Sequence, residues 1–324
     1  MGIRTTIYRK IPYNVLFELE RSCGNPERRK IIQMIRLERF VASTDFSSLD
    51  VENMPVCVID KSKWDYPLFQ MDFFNKMIAS IIYCLADGYV PQVRFMNSKG
   101  ELLWEKLLKQ PYEGQVCNLP SRKCTEIRPA LYLPNFPTVE DVSLYGKLYK
   151  TFFVPTPDTL AYFNQEEEIL MGKRVVGVLC RGTDYTANRP KWHPIQPDVD
   201  DVISDVKAKM KEYYCDYIYL ATDEEQIKAR FEKTFPNLVL TNKRHYYDEF
   251  YDLKKSGGDD TRISWVSFDR ENDNFYKSLE YLSSINLLSK CNLLIAGSCG
   301  GSRAALYMND NQYEYVNLYN LGVY

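Results

Sequence analysis

At 324 residues, 45% hydrophobic and 26% charged, the chain has the length of two ordinary domains or one large α/β domain, with a globular composition. A formal net charge of −2 supplies no basic footprint and excludes nucleic acid as the main partner. Its nine cysteines stand singly with no CxxC pair, which excludes a disulfide scaffold and a zinc site and points to a reducing compartment.

The opening MGIRTTIYRK lacks the apolar core of a signal peptide, and no stretch approaches the roughly 18 apolar residues of a membrane span, so a cytoplasmic protein is expected. Residues 21–39 are basic, and Ile31, Ile32, Met34, Ile35 and Leu37 give an amphipathic helix. Its cationic side is a candidate for peripheral membrane contact; a solvated helix with one buried stripe is the alternative. From Pro55 an α/β rhythm begins: VCVID (56–60) reads as a strand, followed by a loop with Trp64 and Tyr66. FFNKMIASIIYCLA (73–86) reads as a helix stopped by Gly88, and 90–95 as the next strand. Such a βαβ unit predicts a parallel sheet. Asn75 is placed in the first turn of that helix, either near an anion or simply as a cap. Trp104-Glu105 falls on a short helix, as rim packing.

Residues 111–140 are rich in Pro, Tyr and polar residues, the mark of a functional loop over a cleft. A helix over 139–153 is broken by Val154-Pro-Thr-Pro, and 163–170 is helical again, which places a hinge near 155–172. The second half repeats the rhythm. Strand 175–180 leads to a polar loop (184–198), a helix near 199–213, strand 216–221, helix 226–234 and a short strand at 238–240. A loop over 242–270, with Asp259 and Asp260 in a turn, precedes helix 274–289, strand 292–295 and Gly297-Ser-Cys-Gly-Gly-Ser-Arg.

Three strands therefore end in polar clusters: Arg181–Asp184, Thr222–Glu224 and Gly297–Arg303. Strand ends on one edge of a parallel sheet converge on one crevice. Arg181 carries a planar fork of donors suited to phosphate or carboxylate, Gly182 permits close approach, and Asp184 orients the guanidinium or accepts from a ligand hydroxyl; a structural Arg–Asp pair is the plain alternative. Gly297, Gly300 and Gly301 allow a tight turn into a helix starting at Ser302-Arg303, whose N-terminus suits a diphosphate, with Ser298 and Ser302 as hydroxyl donors. The spacing matches neither a Walker P-loop nor GxGxxG. Of two histidines, His193 in the loop after the arginine is the candidate for phosphate contact or general base, or is a plain loop residue. Arg189 and Lys191 add positive charge or are simply exposed.

Taken together, GVLCRGTDY, IYLATDEE and AGSCGGSR resemble the three short motifs of the fucosyltransferase superfamily, which read roughly His-x-Arg-Arg-x-Asp, Leu-Ala-Thr-Asp and Ser-Ser-x-x-x-Arg. Phe74-Asn75-Lys76-Met77 is similar to the Gly-Asn-Gln-Met turn of the α1,2 enzymes. The resemblance covers residues 70–95 and 175–305. It implies a GT-B-like α/β fold of two Rossmann-like domains facing a central cleft, an acceptor-side domain at 1–165 and a nucleotide-sugar-binding domain at 166–324. It further implies an inverting glycosyltransferase that takes GDP-fucose or a related nucleotide sugar to a glycan acceptor, of the kind that builds bacterial surface polysaccharide, without metal or other cofactor. Arg181 falls on the arginine that grips the diphosphate, Asp184 on the first motif's acidic residue, and Asp223 on the second motif's aspartate, with Thr222 beside it. Ser298, Ser302 and Arg303 fall on the phosphate-side loop. The chain departs from the motifs at Leu179, where the family has histidine, and at Gly182, where it has a second arginine. Those departures leave two alternatives: a binding protein that keeps the pocket without turnover, and a transferase using a different GDP-sugar. An NAD-dependent oxidoreductase lacks its GxGxxG after the first strand.

Overall fold

The computed structural model describes residues 7–62, 71–96, 102–115, 122–124, 134–257 and 261–324. The loop with Trp64 and Tyr66, residues 116–121 and 125–133 of the 111–140 segment, and Asp259-Asp260 lie outside the described residues. The chain forms two units: Met1–Asp65, Asp72–Pro134 and Lys147–Thr156 make the first, and Tyr66–Met71, Asn135–Gly146 and Pro157–Tyr324 the second. Each carries an all-parallel sheet, as the α/β reading requires. No described helix is long and apolar enough to cross a membrane.

In the first unit, helices α1 (Tyr13–Ser22) and α2 (Pro26–Ser43) precede a βαβ unit of β1 (Val56–Ser62), α3 (Met71–Ala86) and β2 (Val90–Met96). β1 is central, with β2 on one side and β3 (Arg122–Cys124) on the other. Gly88 ends the helical run in a left-handed conformation (φ +80°), the conformation for which glycine has no steric cost. Trp104, on α4 (Leu103–Leu107), is wholly buried rather than at a rim, and it stacks on Phe74 at 5.8 Å. α2 starts on an Asn25 cap with proline in its first turn, which satisfies one orphan N–H. Its basic sequence is less solvated than it reads. Arg36 is fully buried, with Nε donating to Glu20 Oε2 at 2.6 Å, Nη2 2.9 Å from Asp87 Oδ1, and Nη1 donating to the Ala86 carbonyl at 3.2 Å.

In the second unit the strands are β4 (Val175–Cys180), β5 (Tyr217–Thr222), β6 (Val239–Leu240), β7 (Leu293–Gly297) and β8 (Tyr315–Tyr319), in the order β6-β5-β4-β7-β8. Every residue of β4 is buried, because helices cover both faces of a parallel sheet. Val176, Val178, Ile218, Leu220, Leu293 and Ile295 pack one face against Val202, Val206, Ile227 and Phe231. Those last four belong to helices α8 (Val199–Glu212) and α9 (Glu225–Thr234). α11 (Asp273–Lys290) and α12 (Gly300–Asn309) complete the unit, together with the start of α5 (Val139–Phe152) and with α6 (Pro157–Glu167). Two stretches expected as loop contain helix: α7 (Thr183–Asn188) and α10 (Phe250–Gly257). Both are short and polar, and α10 is held by a small separate cluster of Tyr247, Phe250, Ile263 and Val266. β8 lacks an apolar run because it is a partly exposed edge strand.

Arg36→Met should cost about 3–5 kcal/mol of stability, the range for removing one partner of a buried ion pair, because Glu20 and Asp87 would be left facing each other. Urea midpoints of the two proteins measure it. A loss below about 1 kcal/mol, the scale of exposed pairs, would show the network to be solvated.

Candidate functional site

Chain order and sheet order together locate the site. From β4 the chain steps outward to β5 and β6, then returns to β7 on the other side of β4 and moves out to β8. The direction of winding reverses between β4 and β7, the position where open α/β sheets bind ligands beyond the carboxyl ends of their strands. Leu179 pairs with Ala296 and Cys180 with Thr222, so all three polar clusters leave the sheet at the same level. The predicted convergence of Arg181–Asp184, Thr222–Glu224 and Gly297–Arg303 is what the register produces.

Arg181 is the cation at this edge. Its Nη2 donates to Asp184 Oδ1 at 2.9 Å, its Nε lies 3.2 Å from Asp223 Oδ2, and its guanidinium carbon stands 4.6 Å from the Tyr185 ring centroid. Nη1 has no partner among the described residues, and about a fifth of the side chain (19%) remains exposed. Burial disfavours the charge, but Asp223 and then Asp184 more than offset it and hold the guanidinium well above its usual pKa. Cys299, at the head of α12, is close enough to weigh on both Arg181 and Tyr185. The result is a cation fixed on one side and open on the other, beside the start of a helix.

The turn after Arg181 is strained, and two carboxylates hold it. Asp223 accepts from the Gly182 N–H at 2.8 Å and the Thr183 hydroxyl at 2.7 Å, as well as pairing with Arg181. Burial alone would raise its pKa, yet Arg181 and these two donors bring it below the ordinary carboxylate range. Thr183 has φ +44°, an outlier for a β-branched residue, and its N–H donates to Glu224 Oε1. Glu224 also accepts from the Tyr251 hydroxyl of α10. A Cβ on Gly182 would fall 2.1 Å from Glu224 Oε1, so glycine is required there for close approach. Thr222 accepts from the Glu224 N–H at 3.3 Å and so shapes the end of β5.

The turn after β7 is closed by its own serines. Ser302 Oγ accepts from the Cys299 N–H at 2.9 Å and lies 2.9 Å from the Gly297 carbonyl, a cap that starts α12. Ser298 donates to the Asn135 carbonyl at 2.6 Å, and Arg303 Nη1 to Asn135 Oδ1 at 2.5 Å. Both serine hydroxyls are therefore engaged within the fold, and Arg303 Nε is buried without a partner. Gly297 lets Gln196 approach: an added Cβ would meet Gln196 Oε1 at 2.1 Å. Gly301 likewise lets Leu179, Ile285 and Tyr281 pack beneath the helix start. The first-turn N–H groups at Gly300 and Gly301 have no intrahelical acceptor by helix geometry, and no acidic residue occupies that turn.

His193 is exposed, its ring 5.4 Å from that of Tyr185 in an edge-on arrangement, so it joins the Arg181 cluster through that tyrosine. Arg189 and Lys191 are exposed. Asn75 belongs to the first unit. It sits past the first turn of α3, is buried, and accepts a hydrogen bond from Tyr149. The residues that the sequence does not single out are Tyr185, Gln196 and Asn135, and Glu224 is read only as the end of the Thr222–Glu224 cluster. Glu224 and Tyr185 fall inside the quoted motif stretches, whereas nothing local in the sequence ties Asn135 to a turn more than 160 residues away.

No protein-family model and no curated protein sequence matches the chain. Among solved structures it is similar to the apo form of POFUT1, at TM-score 0.46 and 8% identity over 86% of this chain and 99% of that one. It is similar to the α-1,6-fucosyltransferase NodZ soaked with GDP-fucose, at TM-score 0.47 and 11% identity over 82% and 96%. It is also similar to fucosyltransferase NodZ from Bradyrhizobium, at 0.44 and 11% over 78% and 92%. The two NodZ proteins are described as fucosyltransferases.

Asp223→Asn tests the electrostatics with a definite sign. A folded pKa below the unfolded value of about 4 means that Asp223 stabilises the protein above that pH. The contribution is lost as pH falls through the folded pKa. The variant should be less stable at pH 7, by up to about 3–5 kcal/mol, and the gap should narrow on acidification. Denaturation at about pH 7 and about pH 3, on either side of the unfolded pKa, measures both; a gap that does not depend on pH contradicts the pairing.

Proposed function

We propose that the protein is an inverting glycosyltransferase that moves the sugar of a GDP-sugar, GDP-fucose first among them, to a glycan hydroxyl. The observation that carries this reading is the partly desolvated Arg181 guanidinium, open at Nη1, at the β4–β7 reversal beside the N-terminus of α12. Such a pair of positive groups suits a diphosphate. In the transfer, an acceptor hydroxyl attacks the anomeric carbon from the face opposite the nucleotide, and the C–O bond to the diphosphate breaks. Negative charge grows on the leaving phosphate, so Arg181 and the Gly300–Ser302 turn bind the transition state more tightly than the ground state.

In this reading Asp184, Asp223 and Glu224 hold Arg181 and its turn in place. Arg303 adds charge on the phosphate side, and Gly182, Thr222, Ser298 and Ser302 give the backbone its shape. His193, exposed next to Tyr185, takes the acceptor proton. No metal enters the reaction. The activity fits a bacterial-type enzyme of surface polysaccharide synthesis working in the cytoplasm.

A second reading is a binder without turnover. Leu179, where the superfamily motif carries histidine, is buried and packs against Gly301, so that position offers no proton-transfer group.

GDP should raise the thermal midpoint, since a hundredfold excess over Kd adds about 2.7 kcal/mol. Arg181→Ala should remove that shift and slow turnover about a hundredfold or more, near 3 kcal/mol of barrier. Release of GDP from GDP-fucose or GDP-mannose across an acceptor panel identifies the donor. Binding with no release on any acceptor leaves the second reading, and equal stabilisation of both proteins removes the site.

A further inference from the structure

Trp192, like Tyr214, combines high exposure with a left-handed backbone, and of the two Trp192 lies in the loop that follows Arg181. Its indole is 70% exposed, yet its backbone is held at φ +69°, a left-handed conformation that a bulky residue adopts only when its surroundings impose it. Those surroundings are an antiparallel pairing between the 192–195 loop and residues 322–324. The Trp192 N–H donates to the Tyr324 carbonyl at 3.1 Å, the Tyr324 N–H to the His193 carbonyl at 3.0 Å, and the Ile195 N–H to the Gly322 carbonyl at 3.0 Å. Pro194 and Val323 bridge between them. The strand-like clamp fixes an apolar ring in water instead of turning it inward.

The ring's neighbours narrow what it can hold. The Lys191 ammonium lies 5.1 Å from the indole centroid, and no other ring or cation of the described residues stacks on it. The exposed His193 is next in the chain, 5.4 Å from Tyr185, and Tyr185 lies 4.6 Å from the Arg181 guanidinium carbon. An isolated indole with a cation over one face and an exposed histidine next in the chain does not suit an apolar protein surface, which needs a contiguous patch. It suits a pyranose: one face of axial C–H groups for the indole, and a rim of hydroxyls for Lys191 and His193.

We infer that Trp192 is the platform of an acceptor-sugar subsite and stacks on a pyranose ring whose hydroxyl is presented towards His193. This deepens the reading of the protein as a glycosyltransferase and rests on it for the direction of transfer, but sugar binding itself can be read without turnover.

The full chain and its Trp192→Ala and Trp192→Phe variants are applied to a printed glycan array. Thermal midpoints with and without GDP are recorded for each. The wild type should be retained on at least one class of glycan. Trp192→Ala should bind it at least about tenfold more weakly and Trp192→Phe within about threefold, with the GDP shift equal in all three. Free glycan from that class should also change the tryptophan emission of the wild type and leave that of Trp192→Phe unchanged, a readout that does not depend on the alanine variant folding. Equal glycan binding by wild type and Trp192→Ala, or a wild type that binds no glycan, overturns the subsite. A missing GDP shift in the wild type counts against the donor reading alone.

Discussion

The Asp223 carboxylate is the contact on which the second unit's edge depends. It leaves the end of β5 and gathers three groups from the end of β4: the Arg181 side chain, the Gly182 N–H and the Thr183 hydroxyl. Burying one charge there would be costly. Burying two opposite charges with additional donors is tolerable, because each lone pair that loses water gains a partner. With those groups joined, the chain after β4 has one path, and Arg181 is turned so that one edge of its fork has no partner among the described residues. A cation that needs no rearrangement when it meets a phosphate is the main requirement of electrostatic catalysis.

The serines and glycines of the β7 turn do a different task from the one their chemistry advertises. Ser302 closes the cap of α12, and Ser298 and Arg303 tie the turn to Asn135. In the proposed reading, affinity for an anion at this end comes from main-chain N–H groups and the helix dipole, with the hydroxyls keeping the N–H groups aimed. The loop carrying His193 is braced in the same manner. Gln196 bridges the Pro194 and Ser298 carbonyls, while Gly297 leaves the room it needs.

The parallel strands and the location of the polar clusters were legible in the sequence because both follow from periodicity and from charge at strand ends. β4 matches its apolar run from 175 to 180 to the residue, since a strand buried on both faces cannot tolerate polar interruption. The edge strand β8 and the short helices α7 and α10 were not legible; their stability comes from contacts remote in sequence, such as Asn188 with the Thr261 carbonyl and with Lys254. Within the site, residue type disclosed which groups were present and not which way they faced. Ser302 and Asp223 read as ligands from type alone, and only their bond partners reveal them as braces.

Gly182 and Glu224 occupy one volume. Where the related motif carries a second arginine, this chain has no side chain at all, and a carboxylate from the next strand fills the space and takes the Thr183 N–H. A side chain at 182 therefore requires a change at 224, and substitutions at the two positions will not add energetically. An arginine placed at 182 without shortening residue 224 would put its Cβ within 2.1 Å of the Glu224 carboxylate.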